Sequence, residues 1–403
     1  MELSFYSNFA NTLTAQEAQV NTLQQQIATG LKVQAPNQNP AAYQTAALGN
    51  DQISQLTNDN VTQATIQTQL GAANNAYSSA TTLLDKVQSI VLQALNGSSN
   101  PQNLNALSTQ VQSAMQQLVS VGNTVAPNGS YLFGGSRGAL APFQPDATGN
   151  IAYFGDAGQG QATIGQGETA STLVSGQVFT SALAGDGIST VAANSTNTGS
   201  GQMLQQGLVN ASVANSFQQS TSPITVSFSV SGNTTTYTAT QGGTTLSTGT
   251  LGSNGQTNVQ LAGVVYEISG APANGDSFTI SPARPQSAFA LLKQISTALS
   301  GAGTTPAQVA KTNQLLNQSL AGLAQYQQAV TTAQAQNGVT LQALANAATG
   351  NTAQQTAVQT AVNNATAVDM PAAITALDQT MTALQAAMKT FGSAQSLSLF
   401  KYL

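Results

Sequence analysis

The chain has 403 residues, long enough for two or three domains with ample core. Only 5% of them are charged, against about 25% in an ordinary globular protein, and Gln, Asn, Ser and Thr stand in their place. It holds no Cys, His or Trp, which excludes disulfides, zinc sites that need Cys or His, and triads or dyads built on those residues.

The net charge of −5 is unevenly placed. Between Gly138 and Ala283 there are six acids (Asp146, Asp156, Glu168, Asp186, Glu267, Asp276) and no Lys or Arg. The flanks therefore hold all eight basic residues against seven acids, a sum of +1. Neither part offers a basic patch, so nucleic acid and anionic membranes are not expected partners. No run of about 20 apolar residues is present to span a membrane. Met1-Glu2-Leu3-Ser4 has neither the basic start nor the apolar stretch of a secretory signal. A polar surface with little charge favours close self-association, and the apolar periodicity described next argues against disorder.

The first predicted helix runs from about Ser4 to Thr29, with Phe9, Leu13, Val20, Leu23 and Ile27 as an apolar stripe. Gly30 is placed as a left-handed cap, with Lys32 beyond the negative end of that helix. Pro36 and Pro40 then forbid a continuous helix. A long second helix is expected over about 41–95, with Ile66, Leu70, Ala73, Tyr77, Ala80, Leu84, Val87 and Val91 alternating at steps of 4 and 3. After the break at Asn96–Pro101 comes the cleanest heptad pattern: Leu104, Leu107, Val111, Ala114, Leu118, Val121 and Val125. The short turn predicts a helical hairpin.

From about Gly134 to Ala283 the chain turns Gly-rich and β-like. Ile224–Val230 alternates at period 2, with Thr234–Thr240 as its hairpin partner across Ser231-Gly232-Asn233. Val264–Ile268 and Ser277–Ile280 read as further strands, and 180–207 as a long loop or partly helical. Helical pattern returns at about Gln286 with Phe289, Leu292, Ile295 and Leu299. Another long helix begins near Pro306, with an interruption expected at Gly350-Asn351. The last 35 residues carry Met370, Ile374, Leu377, Met381, Leu384, Met388 and Phe391 at steps of 4 and 3, then Leu397, Leu399, Phe400, Tyr402 and Leu403.

The expected fold is therefore mainly α with an inserted β domain: a long antiparallel helical bundle formed by both chain ends, and a β-rich outer domain between its two arms. The expected division is 1–40 with 366–403 as terminal helices, 41–137 with 284–365 as the bundle, and 138–283 as the outer domain. Two readings of the terminal stripes stand side by side. They pack into their own chain's core, or they stay disordered in the free subunit and fold together with neighbours.

No catalytic, cofactor or metal residue is assigned. Asp156 and Asp276 each follow a Gly, a pairing that marks turns more often than calcium or acid–base sites. Gly155, Gly158 and Gly160 lack the following Lys-Ser/Thr and helix of a phosphate loop. Tyr131 and Phe133 read as core packing at the joint between the helical and β regions.

Several stretches resemble the bacterial flagellin family. Leu23-Gln-Gln-Gln-Ile-Ala-Thr-Gly30, Lys32-Val33 and Asn39-Pro40-Ala41-Ala42 are similar to its amino-terminal signature. Gly129–Gly135, Tyr153-x-Gly155-Asp156 with Ile164, Gly167, Gly176 and Phe179, and the terminal Leu397-Ser-Leu-Phe-Lys-Tyr-Leu403 resemble its hook–filament junction branch rather than its filament subunits, and Gly270-Ala-Pro272, Gly275-Asp276, Phe278 and Pro282 resemble an element that hook-associated proteins share. No match was placed for 186–215. The resemblance implies a secreted, non-enzymatic structural subunit, exported through the flagellar type III apparatus to the junction of hook and filament. It implies partners: further copies in a ring, hook-associated protein 1, flagellin, and an export chaperone. It also implies an inner layer of paired terminal helices, whose subunit interface would use Phe9, Leu13, Val20, Leu23, Ile27, Leu377, Met381, Leu384, Met388, Phe391, Leu399, Phe400 and Tyr402. A filament subunit is the alternative, and an extracellular enzyme or adhesin carried on the β insert is a second.

Overall fold

The computed structural model describes residues 2–96, 100–165 and 167–399, with side chains over 7–393 of that range. Seven helices and twelve strands follow one another within it. The helices are α1 (Glu2–Thr29), α2 (Pro40–Asn96), α3 (Pro101–Gly122), α4 (Ala211–Gln219), α5 (Ala288–Ser300), α6 (Pro306–Thr366) and α7 (Met370–Leu399). The strands are β1 (Phe143–Pro145), β2 (Ile151–Tyr153), β3 (Gln161–Thr163), β4 (Thr169–Ser171), β5 (Ser189–Ala193), β6 (Gln202–Leu208), β7 (Ile224–Ser231), β8 (Thr234–Gln241), β9 (Thr244–Thr250), β10 (Thr257–Leu261), β11 (Val264–Ser269) and β12 (Ser277–Pro282). Helical arms thus flank a β-rich insert, as the sequence predicts.

Two compact units divide the chain: Met1–Thr62 with Ile164–Glu168 and Asn346–Leu403, and Gln63–Thr163 with Thr169–Ala345. In the first, α1 packs on α7, and the start of α2 packs on the end of α6. Gln355 donates to Thr57 Oγ1 over 3.3 Å, and Gly49 lies against Val362, so residue numbers rise along one helix as they fall along the other. Helix α6 passes through Gly350-Asn351 without a break, against the sequence expectation. Asn351 is 4% exposed, and its amide reaches Asn60 Oδ1 and the Ile164 carbonyl. A side chain engaged there does not compete for its own backbone, the usual reason Asn weakens a helix.

In the second unit the heptad positions of α2, from Ile66 to Val91, are all buried. Gln327 donates to Asp85 Oδ1 at 2.6 Å and Gln334 to Ser78 Oγ at 3.2 Å, pairing α2 with α6. Asn100 caps α3, accepting from Gln102 N with Pro101 as the first helical residue. Helix α3 stops at Gly122, so Val125, counted in the heptads, lies outside it. Asn123 ends the helix by exchanging two hydrogen bonds with the Phe143 backbone, and the Phe143 ring leaves no room for a Cβ at Gly122. Val125 instead forms a single β-bridge with Tyr131 and is half exposed.

The insert holds a five-stranded antiparallel sheet in the order β5-β12-β7-β8-β9 and a three-stranded sheet β10-β11-β6. Their inner residues form one core, including Met203, Val226, Phe228, Tyr266, Phe278 and Ile280. The expected hairpin is present as β7–β8, its turn made by Gly232 at φ 58°. The segment 180–207, left between loop and helix by its sequence, contributes β5 and most of β6. A separate aromatic cluster runs from Tyr77 of α2 through Phe133 and Phe179 to Phe143, and on to Phe289 of α5. Phe133 is thereby core, as predicted, and burial pushes the Tyr77 hydroxyl well above its ordinary pKa.

Candidate assembly surface

Helix α1 carries almost no charge, yet it holds its register through one apolar face. Phe9, Leu13, Val20 and Ile27 are partly buried and Leu23 is buried, while most positions between them are exposed. Gln16 fills the gap in this row. On α7 the matching positions are Leu377, Leu384 and Phe391, interleaved with Ala373, Thr380 and Ala387. These three small residues stand outside the large apolar stripe, and they let the helices approach. The rings of Phe9 and Phe391 stack, with centroids 5.1 Å apart and planes 7° from parallel.

The α7 stripe is wider than α1 can cover. Ile374, Met381 and Met388 recur every seventh residue and are 47%, 39% and 48% exposed. Met370 at the start of the helix is also exposed. Of the thirteen residues the resemblance points to, the structure thus brings eight onto the α1–α7 seam and leaves Met381 and Met388 facing outward. Leu399 ends the described helix, but its side chain lies outside the described residues, as do Phe400 and Tyr402.

A compact joint closes the pair at its base. Helix α1 ends at Gly30, whose φ of 72° only glycine adopts without strain. Leu31 and Ala367 form an antiparallel bridge, with Lys32 N donating to Thr366 O at 2.8 Å and Val368 N to Gly30 O at 2.9 Å. Lys32 Nζ donates to Asn364 O at 3.4 Å. The sequence placed this lysine beyond α1; the carbonyl end it meets belongs to the last turn of α6. Asp369 then caps α7, accepting from Ala372 N at 3.2 Å.

The aspartates considered for chemistry are loop staples. Asp156 accepts from Ser136 N at 2.7 Å, from Gly158 N at 2.9 Å and from the Ser136 hydroxyl, with Arg137 Nε at 3.9 Å. Those hydrogen bonds, the Ser136 hydroxyl first, hold its carboxyl below the usual range. Asp276 is buried and accepts from Thr198, Gly199 and Ala273 backbone amides. Among the described residues no three acids gather as a metal cluster, and no helix is long and apolar enough to cross a membrane.

Comparison with known proteins agrees with this geometry. The profile of the bacterial flagellin N-terminal helical region matches residues 2–137. The flagellar hook-associated protein 3 of Salmonella typhimurium is 28% identical over 185 residues, 44% of this chain and 55% of that protein. The protein of the same name from Escherichia coli is 24% identical over 35% of this chain and 44% of its own length. The chain thus spans about half the length of the curated relatives it matches. The crystal structure of Xanthomonas campestris FlgL is similar with a TM-score of 0.65 and 29% identity, over 73% of this chain and 94% of that one. A flagellar hook associated protein-3 from Legionella pneumophila shares the fold at a TM-score of 0.71 and 23% identity, over 79% of this chain and 98% of that one.

The first third of the chain thus matches the N-terminal helical region of bacterial flagellins, and its helical arms with a β-rich insert between them are similar to the fold of FlgL. Its similarity extends to the flagellar hook-associated protein 3 of two bacteria and to a crystal structure of FlgL.

Proposed function

We propose that the chain is a non-catalytic structural subunit of the bacterial flagellum, assembled as a ring at the hook–filament junction. In this reading hook-associated protein 1 lies on its hook side and flagellin on its filament side. The subunit is secreted through the flagellar export apparatus with a chaperone on its carboxyl end. Residues 1–40 and 366–403 form the assembling layer, 41–137 and 284–365 the supporting bundle, and 138–283 the outer domain.

The observation that carries this reading is the outward row Ile374-Met381-Met388 on a helix whose other side is already occupied by α1. Fully burying such a side chain is worth about 1.5–3 kcal/mol, so completing the burial of three half-exposed ones drives a contact of modest strength. Repeated around a ring, modest contacts accumulate. The seam residues Phe9, Leu13, Val20, Leu23, Ile27, Leu377, Leu384 and Phe391 then set the geometry in which that row is presented.

The test is complementation of a strain lacking this chain with a variant carrying Ile374→Ser, Met381→Ser and Met388→Ser. Filaments are expected to detach, with flagellin recovered from the medium, while circular dichroism of the purified variant stays that of the parent. Deleting 397–403 is expected to give the same shedding. Normal attached filaments in both strains overturn the reading. Long filaments grown from the purified chain alone would assign it to the filament subunits instead.

A further inference from the structure

The insert meets α6 along one face of that helix, and the hydrogen bonds that hold it there run from side chains to backbone groups. Lys311, Gln314, Gln318 and Gln325 follow at steps of 3, 4 and 7, so they share one side of α6. Lys311 Nζ donates to Ser195 O at 2.6 Å. Gln314 Oε1 accepts from Met203 N at 2.8 Å, and its Nε2 donates to Met203 O at 2.6 Å. Gln318 Oε1 accepts from Val191 N at 3.1 Å, and Gln325 Nε2 donates to Asp186 O at 3.0 Å. Apolar packing does not fill the space around this row. A cavity of about 370 Å³ lies on one side, against Asn317 and Ala321, and one of about 350 Å³ on the other, against Lys311 and Leu315.

The insert does not need α6 for a core of its own. Every residue of the core shared by its two sheets lies between Val191 and Ile280. Its covalent connection to the helices is a narrow ribbon, 182–184 beside 284–286. Ala184 N donates to Arg284 O at 3.0 Å, Gln286 N donates to Ala182 O at 3.0 Å, and Leu183 bridges Pro285. The pairing resumes where Ala283 N donates to Ile188 O at 2.9 Å and continues as the ladder of β5 with β12. Between these two points Gly185-Asp186-Gly187 has no counterpart on the facing strand, which passes directly from Ala283 to Arg284. The ribbon is thus bulged at one place, and both glycines of the bulge have positive φ, 61° and 89°. A bulge disrupts the ladder and bends the strand that carries it.

We infer that residues 188–283 form a hinged lobe, which swings off α6 as one body about the bulge Gly185-Asp186-Gly187. The face Lys311-Gln314-Gln318-Gln325 is its latch. Each latch bond exchanges for a bond to water on release, so little is lost bond by bond, whereas a large apolar interface would fix the two bodies together. Gln325 holds the pivot itself, and the other three hold the lobe beyond it. The subunit can therefore reposition its outer domain without disturbing the bundle, whatever ring it joins.

The test uses the full chain. Gln325 and Lys311 bond to Asp186 and Ser195, not to Val191 or Met203. If the latch opens as a unit, Gln325→Ala speeds amide exchange at both Val191 and Met203 by about fivefold, the equivalent of one hydrogen bond. Lys311→Met is expected to act alike, and protection in β7 to stay unchanged in both. Fraying of separate strand edges would instead leave each amide to its own glutamine. The absence of cysteine allows spin labels at Asn233→Cys, in the β7–β8 turn, and Ala335→Cys, on an exposed position of α6. Two distances are expected, the longer one gaining population in Gln325→Ala. A single distance in both chains, or exchange at Val191 and Met203 indifferent to both variants, overturns the inference. So does equal acceleration in β7, which would mean unfolding of the lobe and not its release.

Discussion

Phe9 and Phe391 stack face to face at 5.1 Å, although 381 positions separate them in the chain. This pair sets the register of α1 against α7 near the far end of the seam from the Leu31–Ala367 bridge. Replacing Phe391 by Ala is expected to lower the stability of the terminal pair by about 1–2 kcal/mol, from half-buried area and lost stacking. Amide exchange over residues 7–29 reads it: protection should fall there and stay unchanged in β7 and β8. Unchanged protection in α1 would show that the stack contributes nothing.

Gly49 tests the packing of α2 on α6. A Cβ at this position would sit 2.4 Å from a Val362 methyl and 3.3 Å from one of Val358. Gly49→Ala gains about 1 kcal/mol in helix propensity and loses about 1–3 kcal/mol to overpacking. The clash is expected to win, because a β-branched valine has little rotamer freedom in a helix. Adding Val362→Ala should recover the propensity gain, so the double variant should melt higher than Gly49→Ala alone.

Two aspartates should respond to pH in opposite directions. The Asp156 carboxyl lies below its ordinary value, chiefly through the Ser136 hydroxyl. Its stabilisation is therefore complete above the ordinary carboxylate pKa and lost as pH falls through the lower folded value. Burial raises the Asp186 carboxyl, outweighing its hydrogen bonds from the Ser189 and Ile188 amides. Its native state binds the proton more tightly than the unfolded chain, so it costs stability as pH rises through the raised value. Denaturation at a series of pH values is expected to show Asp156→Asn flattening the acid limb. Asp186→Asn, which keeps an acceptor oxygen, should be neutral or stabilising at pH 7.

Gln314 is 3% exposed, and both of its amide bonds go to the fully buried Met203. Gln314→Ala leaves two backbone groups without partners, at about 1–3 kcal/mol each. Gln314→Glu keeps one acceptor, loses the donor and buries a charge, so it is expected to be at least as damaging. Urea unfolding followed by Tyr fluorescence in the insert reads both variants.

The helices were legible because their apolar steps of 4 and 3 are physical consequences of helical pitch, and the Ile66–Val91 and Leu104–Leu118 rows are buried accordingly. The β7–β8 hairpin was legible from alternation and a glycine turn. Residues 180–207 were not, because β5 and β6 find their edge partners on α6, more than a hundred positions away. The unbroken run through Asn351 was hidden for a similar reason, since its amide's partners come from α2 and the Ile164 segment. On α7 the spacing marked which positions are apolar. It did not say which side α1 would take, because Ala373, Thr380 and Ala387 leave no apolar signal.

The bridge between Leu31 and Ala367 has a consequence in time. A ribosome finishes residues 1–33 long before it reaches 366, so α1 waits through more than three hundred residues of synthesis for its mate. Its low charge and single apolar stripe must be tolerated through that interval, whatever the rest of the chain has already folded. The bridge can close only after Thr366 and Val368 have emerged, and its closing ties an early segment to one made more than three hundred residues later. Pairing of α1 with α7 therefore reports that the polypeptide between them has been made.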